Sequence, residues 1–205
     1  MGIWILGGGG HAKVAIATLE AAGQPIAGIY DDDLAKIGTH LLGHPVQGVT
    51  PPGAWWKAQT RTAFIAIGNN QIRERVAALK VQWAVAQHPA AIVHSSVQVG
   101  PGSLICAGVV VQPDTQIGAH VIANTSCSID HDCIIGDFAH VAPGAHLAGG
   151  VTLGARTFVG TGASILPGVR IGSDVAIGAG AVVRKDVPDG ETWIGVPARP
   201  KSNKA

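Results

Sequence analysis

IDHDCI IGDFAH VAPGAH LAGGVT LGARTF, residues 129–158, is a run of five six-residue units, each opening on Ile, Val or Leu. The register extends in both directions without a slip. Its sixteen successive first places are Val93, Val99, Ile105, Val111, Ile117, Ala123, Ile129, Ile135, Val141, Leu147, Leu153, Val159, Ile165, Ile171, Ile177 and Val183. Fifth places are small or β-branched, as in Cys133, Ala139, Ala145, Val151 and Thr157. A period of six with frequent glycine marks a hexapeptide-repeat β-helix. Three units make one coil, so residues 18 apart stack at the sheet spacing of about 4.8 Å. First and fifth places then fill a narrow triangular interior, and about five coils account for residues 93–182.

Outward from the repeat, the chain of 205 residues leaves some 90 ahead of Val93, enough for a second small core. Ile3–Leu6 is a short apolar run that meets Gly7-Gly8-Gly9-Gly10, followed by a helical stretch to about Ala22. Further strands are expected at Ile26–Tyr30, ending in Asp31-Asp32-Asp33, and at Phe64–Ile67, ending in Gly68-Asn69-Asn70. Asn69 or Asn70 caps a helix whose Ile72, Val76 and Leu79 share a face. Strands alternating with helices indicate a small Rossmann-like parallel α/β sheet. Residues 43–60, with three prolines, Trp55 and Trp56, read as a loop-rich connection, the two tryptophans as packing. The division expected is 1–88, an α/β domain; 89–192, the β-helix; and 193–205, a tail, the chain leaving the helix after Val183.

Net charge is +1, which gives no electrostatic footing for nucleic acid or a membrane surface. No stretch of 18 apolar residues and no secretory leader is visible. Sparse charge suggests that other subunits cover much of the surface. Cys127 and Cys133 occupy inward fifth places as core filler; Cys106 has no reading from its place. Three thiols without a pairing framework fit a reduced, cytoplasmic compartment.

Three segments carry chemistry. GGGGHAKV at 7–14 joins a strand to a helix, where close backbone approach and free N–H groups receive a phosphate. Asp31 and Asp32, at the end of the next strand, suit a ribose or base edge. Without those acids the glycines read equally as a tight turn. In the second segment, His131 occupies a third place and points outward, with Pro113 one coil below and Gly149 one coil above. Asp130 and Asp132 flank it. A carboxylate beside an imidazole orients the ring and favours its protonation, as a general base requires. A surface histidine with solvated acids is the bland reading. His140 and His146 fall on different walls, and with His94 and His120 they leave open a metal shared between subunits, although no close-spaced histidine pair lies near His131. The third segment is a basic cluster, Arg184, Lys185, Arg199 and Lys201, suited to phosphates or simply solvated.

On GGGGHAKV, YDDD at 30–33, AIGNN at 66–70, NTSCSIDHDCIIGDFAHVAPGAHLAGGV at 124–151 and IGVPAR at 194–199, the chain resembles the bacterial sugar acetyltransferases of the sialic-acid, bacillosamine and perosamine type. The resemblance covers essentially its whole length. It implies a left-handed β-helix, a homotrimer, and acetyl-CoA lying between neighbouring helices. It assigns His131 as base and Asp132 as its support, although the family often has Glu there. It places His140, Gly149, Thr161 and Ala179 along acetyl-CoA, with the Gly149 N–H facing an oxyanion. Gly10, His11, Ala12, Asp31, Asp32 and Gly68 then hold the nucleotide sugar; many relatives carry Gly at the place of Ala12. The reaction expected is acetylation of an amine, at C4 of a nucleotide-linked amino sugar, with no metal. The alternatives are O-acetylation of sialic acid or another sugar hydroxyl, a non-catalytic nucleotide-sugar scaffold, and a metal-dependent hydratase on the same helix.

Overall fold

The computed structural model describes residues 2–57 and 61–201. Residue 1, residues 58–60 and the tail's residues 202–205 lie outside the described residues. The N-terminal sheet contains β1 (Ile3–Leu6), β2 (Ile26–Tyr30), β3 (His40–Leu41), β4 (His44–Gly48), β5 (Thr62–Ile65) and β6 (Gln82–Trp83), in the order β3-β4-β2-β1-β5-β6. All pairs are parallel except the β3–β4 hairpin. Helix α1 (Gly10–Ala21) buries Ala12, Ala15, Ile16 and Leu19. Helix α2 (Gly53–Lys57) brings Trp55 and Trp56 against Trp4 and Tyr30. The stretch 43–60 read as loop therefore holds the returning strand of a hairpin and a short helix. Its prolines and paired aromatics obscure the strand alternation.

Two further expectations shift. The strand placed at Phe64–Ile67 runs from Thr62 to Ile65, because Thr62 pairs with Gln82 and the Ile67 carbonyl is taken by a side chain instead. Helix α3 (Asn70–Ala77) is capped by Asn69, whose carboxamide accepts from Ile72 N. Its buried residue is Arg73, while Ile72 is exposed. Val76 and Leu79 still pack against the sheet as the predicted face requires, and Ile72 joins Val76 at the cavity; Arg73 is buried beside that face because main-chain carbonyls wait for it across the interface.

The repeat forms a three-walled parallel solenoid. The first wall stacks the strands beginning at Ala86, Leu104, Ile122, His140, Phe158, Ala176 and Thr192; the second, those at Ile92, Val110, Ser128, His146, Ser164 and Val182; the third, those at Gln98, Gln116, Ile134, Thr152 and Arg170. Partners are 18 residues apart at every inner step, for example Ile122↔His140 and His140↔Phe158. The chain does not leave this pattern at Val183. Val187 bridges Ile171, and Thr192–Ile194 adds a rung to the first wall. Every sixth residue from Gly102 to Gly180 has positive φ, whether it is Gly or, as at Asp114, Asp132, Phe138 and Asp174, not. One left-handed residue per corner turns the chain between walls. First and fifth places are almost all buried, and the core is continuous with the inner face of the N-terminal sheet. Among the described residues, no helix is long and apolar enough to cross a membrane.

Candidate active site

The nucleotide-sugar candidates converge on a cavity of about 400 Å³ at the C-terminal ends of β1, β2 and β5, lined by Gly10, His11, Asp31, Asp32 and Gly68. This is where a parallel α/β sheet offers a crevice to ligands. Gly9 caps α1 without a side chain, so the helix N-terminus stays open to the cavity. Ala12 lies behind it: its side chain is fully buried, and its N–H donates to Gly9 O at 3.1 Å. Asp31 is a structural as well as a lining residue. It accepts from Gly8 N at 2.5 Å, Asp33 N at 2.8 Å and Lys36 Nζ at 3.0 Å. Partial burial pushes its pKa up, but these donors outweigh that and leave it below the ordinary carboxylate value. Asp32 accepts from Thr50 N at 2.9 Å with one oxygen. Lys36 and Thr50, which also line the cavity, had no motif to announce them.

The floor of the cavity meets the first wall. The rings of His11 and His140 lie 6.1 Å apart, and His140 accepts at Nε2 from Asn124 Nδ2 at 3.1 Å. Asn124 Oδ1 accepts from Thr125 N at 2.8 Å, which fixes which end of the amide faces the ring. His140 also hydrogen-bonds the Gly68 backbone. Burial, then Arg73, pushes the pKa of His140 down to about 3 and that of His11 to about 4. Both rings are neutral at physiological pH, and Nε2 of His11 is buried without a partner. Asn124 stood inside the most distinctive block of the sequence, but only the stacking of walls shows that it buttresses His140.

His131 stands on the corner between the second and third walls. Its ring is 65 % exposed, and Nδ1 donates to Asp132 Oδ2 at 2.7 Å. Asp132 adopts φ +58°, the left-handed place of its unit, which turns its carboxylate back onto the preceding ring. That bond assigns the proton to Nδ1 and leaves the Nε2 lone pair open. Gly149 is the seat of the ring. A Cβ there would lie 2.6 Å from both Cε1 and Nε2 of His131. Asp130 offers its main chain to Thr115 Oγ1 at 2.7 Å. Thr161 and Ala179 are exposed, 18 residues apart, on the corner between the first and second walls. The structure thus groups His131, Asp132 and Gly149 on one edge, Thr161 and Ala179 on another, and His140 on the first wall. Arg184, Lys185 and Arg199 border a hollow of about 450 Å³ near the far end of the His131 edge. Among the described residues, no group of three His, Cys, Asp or Glu side chains is placed to hold a metal ion. All three cysteines are free and buried.

Residues 2–79 match the PglD N-terminal domain family, and residues 150–185 match the bacterial transferase hexapeptide family. GDP-perosamine N-acetyltransferase of Escherichia coli O157:H7 is 33% identical over 169 residues, 76% of this chain and 74% of that protein. PerB from Caulobacter crescentus, solved in complex with CoA and GDP-perosamine, superposes with a TM-score of 0.92 at 42% identity, covering 98% of each chain. The acetyltransferase domain of PglB from Neisseria gonorrhoeae, solved with acetyl coenzyme A, gives 0.86 at 37% identity over 97% of this chain and 98% of that one.

Proposed function

The chain belongs to the family of hexapeptide-repeat N-acetyltransferases that act on nucleotide-linked amino sugars, and we propose that it transfers acetyl from acetyl-CoA to the C4 amine of a GDP- or UDP-linked amino sugar, GDP-perosamine being the first to test. The observation that carries the reading is His131, with one nitrogen tied to Asp132 and the other open beside Gly149.

In this reading residues 1–88 bind the nucleotide sugar, 89–192 carry acetyl transfer, and 193–205 are a tail whose described part, to residue 201, closes the solenoid's end. The diphosphate sits at the N-terminus of α1 against Gly10, His11 and the Ala12 main chain. Asp31 and Asp32 face the nucleoside, and Gly68 lies beside it. His131 Nε2 takes the proton lost as the amine attacks the thioester carbonyl. A C–N bond forms, and the oxyanion is met by the Gly149 N–H. Collapse breaks the C–S bond, and CoA leaves as the thiol, taking the proton held by His131. Holding donor and acceptor in line supplies much of the rate, so no acyl-enzyme is needed.

The His131 edge and the Thr161–Ala179 edge border opposite sides of the second wall of one chain. A single cofactor meets both when they come from two neighbouring protomers that face each other. A homotrimer, with acetyl-CoA in each crevice and the Arg184–Lys185–Arg199 cluster toward its phosphates, satisfies this. His140 then guides the thioester end from the side of the nucleotide cavity. Acetyl-CoA and nucleotide sugars place the reaction in the cytoplasm. The test is release of CoA thiol against a panel of GDP-, UDP- and dTDP-linked amino sugars and sialic acid. Turnover with a 4-amino sugar is expected; turnover with sialic acid alone would replace amine by hydroxyl transfer, and none at all would reduce the chain to a binding scaffold.

A further inference from the structure

Arg73 is 1 % exposed and carries a full positive charge into the seam between the two domains. Burial pushes its pKa down only to about 10, so it stays protonated at neutral pH. None of its hydrogen-bond partners is a carboxylate. Nε donates to His120 O at 2.8 Å, Nη1 to Ile67 O at 3.0 Å and Gly68 O at 3.1 Å, and Nη2 to Phe138 O at 2.7 Å and Asn70 Oδ1 at 2.9 Å. All five N–H groups are thereby used, in a fork that no other side chain reproduces. The carbonyls fall into two sets. Ile67 and Gly68 form a rim of the nucleotide cavity. His120 and Phe138 are left-handed corner residues of two successive coils, 18 residues apart. One guanidinium therefore ties the cavity rim to two adjacent rungs of the prism, next to the Gly68 backbone that also meets His140.

We propose that Arg73 is a positioning residue for acetyl transfer: it fixes the height of the nucleotide-sugar pocket along the prism, so that the amine arrives level with the acetyl group, and its buried charge favours the diphosphate. The assignment rests on the function proposed above, but its binding test does not. A cation behind the pocket attracts the diphosphate through a region of low dielectric, where charge is screened little. The same cation disfavours protonation of His11, His120 and His140.

The experiment uses the full chain and its Arg73→Lys, Arg73→Gln and Arg156→Ala variants. Arg156 is the control. Its side chain joins the same two domains through Glu74 at 2.9 Å and is held within the solenoid by Asp174 at 2.7 Å, without touching the carbonyl cluster. GDP, UDP and CoA are titrated by calorimetry. Expected is at least a tenfold loss of nucleoside diphosphate affinity in Arg73→Gln, a smaller loss in Arg73→Lys, and CoA affinity within twofold throughout. Arg156→Ala leaves both ligands within twofold. In turnover, KM for the amino sugar rises and kcat falls while KM for acetyl-CoA holds. Equal losses for nucleotide and CoA, or nucleotide affinity unchanged in a folded Gln or Lys variant, would overturn the assignment. Should neither variant fold, the Arg73 Nε–H resonance of the unaltered chain decides: it shifts on adding GDP or UDP and not on adding CoA, and the reverse sinks the proposal. If the chain acetylates no amino sugar, the function fails, yet the split between nucleotide and CoA binding still judges Arg73.

Discussion

His131 and His140 are nine residues apart in the sequence and stand in opposite surroundings. The first is on a corner, mostly in solvent, held through one nitrogen by one carboxylate. The second is on a wall, buried under the N-terminal domain, fixed by Asn124 and the Gly68 backbone, with its pKa pushed down to about 3. The lesson is about division of labour. An imidazole that accepts a hydrogen bond at Nε2 and cannot take a proton near neutral pH is suited to placing a substrate. An imidazole with an open Nε2 and an anion behind it is suited to moving a proton.

The largest effect that separates the two is expected from His131→Ala. In our reading kcat falls by about 10²- to 10⁴-fold while both KM values stay within a few-fold. An unchanged kcat in the thiol-release assay would remove His131 as base. Gly149→Ala comes next. A Cβ 2.6 Å from the ring forces His131 aside, and a misplacement on the order of 1 Å costs about 10²-fold in kcat. Activity of this variant equal to that of the unaltered chain would show that the seat is not needed. Thr161→Trp, on the edge assigned to acetyl-CoA, raises KM for acetyl-CoA about tenfold, a loss of ~1.4 kcal/mol. A rise in KM for the amino sugar instead would break the assignment of the two edges.

The smallest effect concerns the buried rings as a set. His11 and His120 have pKa values near 4 and His140 near 3, depressed first by burial and then by Arg73. Unfolding releases them to about 6.5, so the unfolded chain binds more protons between those limits. Stability is then full above about pH 6.5 and declines as pH falls toward 4. A drop in Tm on the order of 10 °C from pH 7 to pH 5 is expected, read by calorimetry. A flat profile would mean that these rings are not held neutral by the fold.

The solenoid was legible because each of its residues answers to a local rule. A six-residue period fixes wall, rung and in-or-out orientation at once, so the outward His131, its neighbour Asp132 and the bare Gly149 followed from counting. The left-handed fourth place escaped notice because half its occupants are not glycine; Phe138 and Arg156 give no hint of positive φ. The N-terminal domain obeys no such count. Its β1–α1 turn and acidic strand end were readable, but the hairpin and α2 within 43–60 were not, since β4 holds a proline and α2 is only five residues long. Arg73 and Asn124 were invisible for a different reason. Their deciding partners are carbonyls on two corners, 47 and 65 residues from Arg73, and a ring one rung along the same wall, 16 residues from Asn124.

The uninterrupted register leaves the prism no slack. Adding or deleting one residue between His131 and Ala179 would turn core-facing side chains outward along everything beyond it. A change of six would keep inside and outside but carry every later corner round by one face. Only a whole turn of 18 preserves the edges, and it moves them by about 4.8 Å. Length in this molecule is therefore quantised: the span between the imidazole and the basic end is adjustable in single steps, and the tolerated step is one full winding.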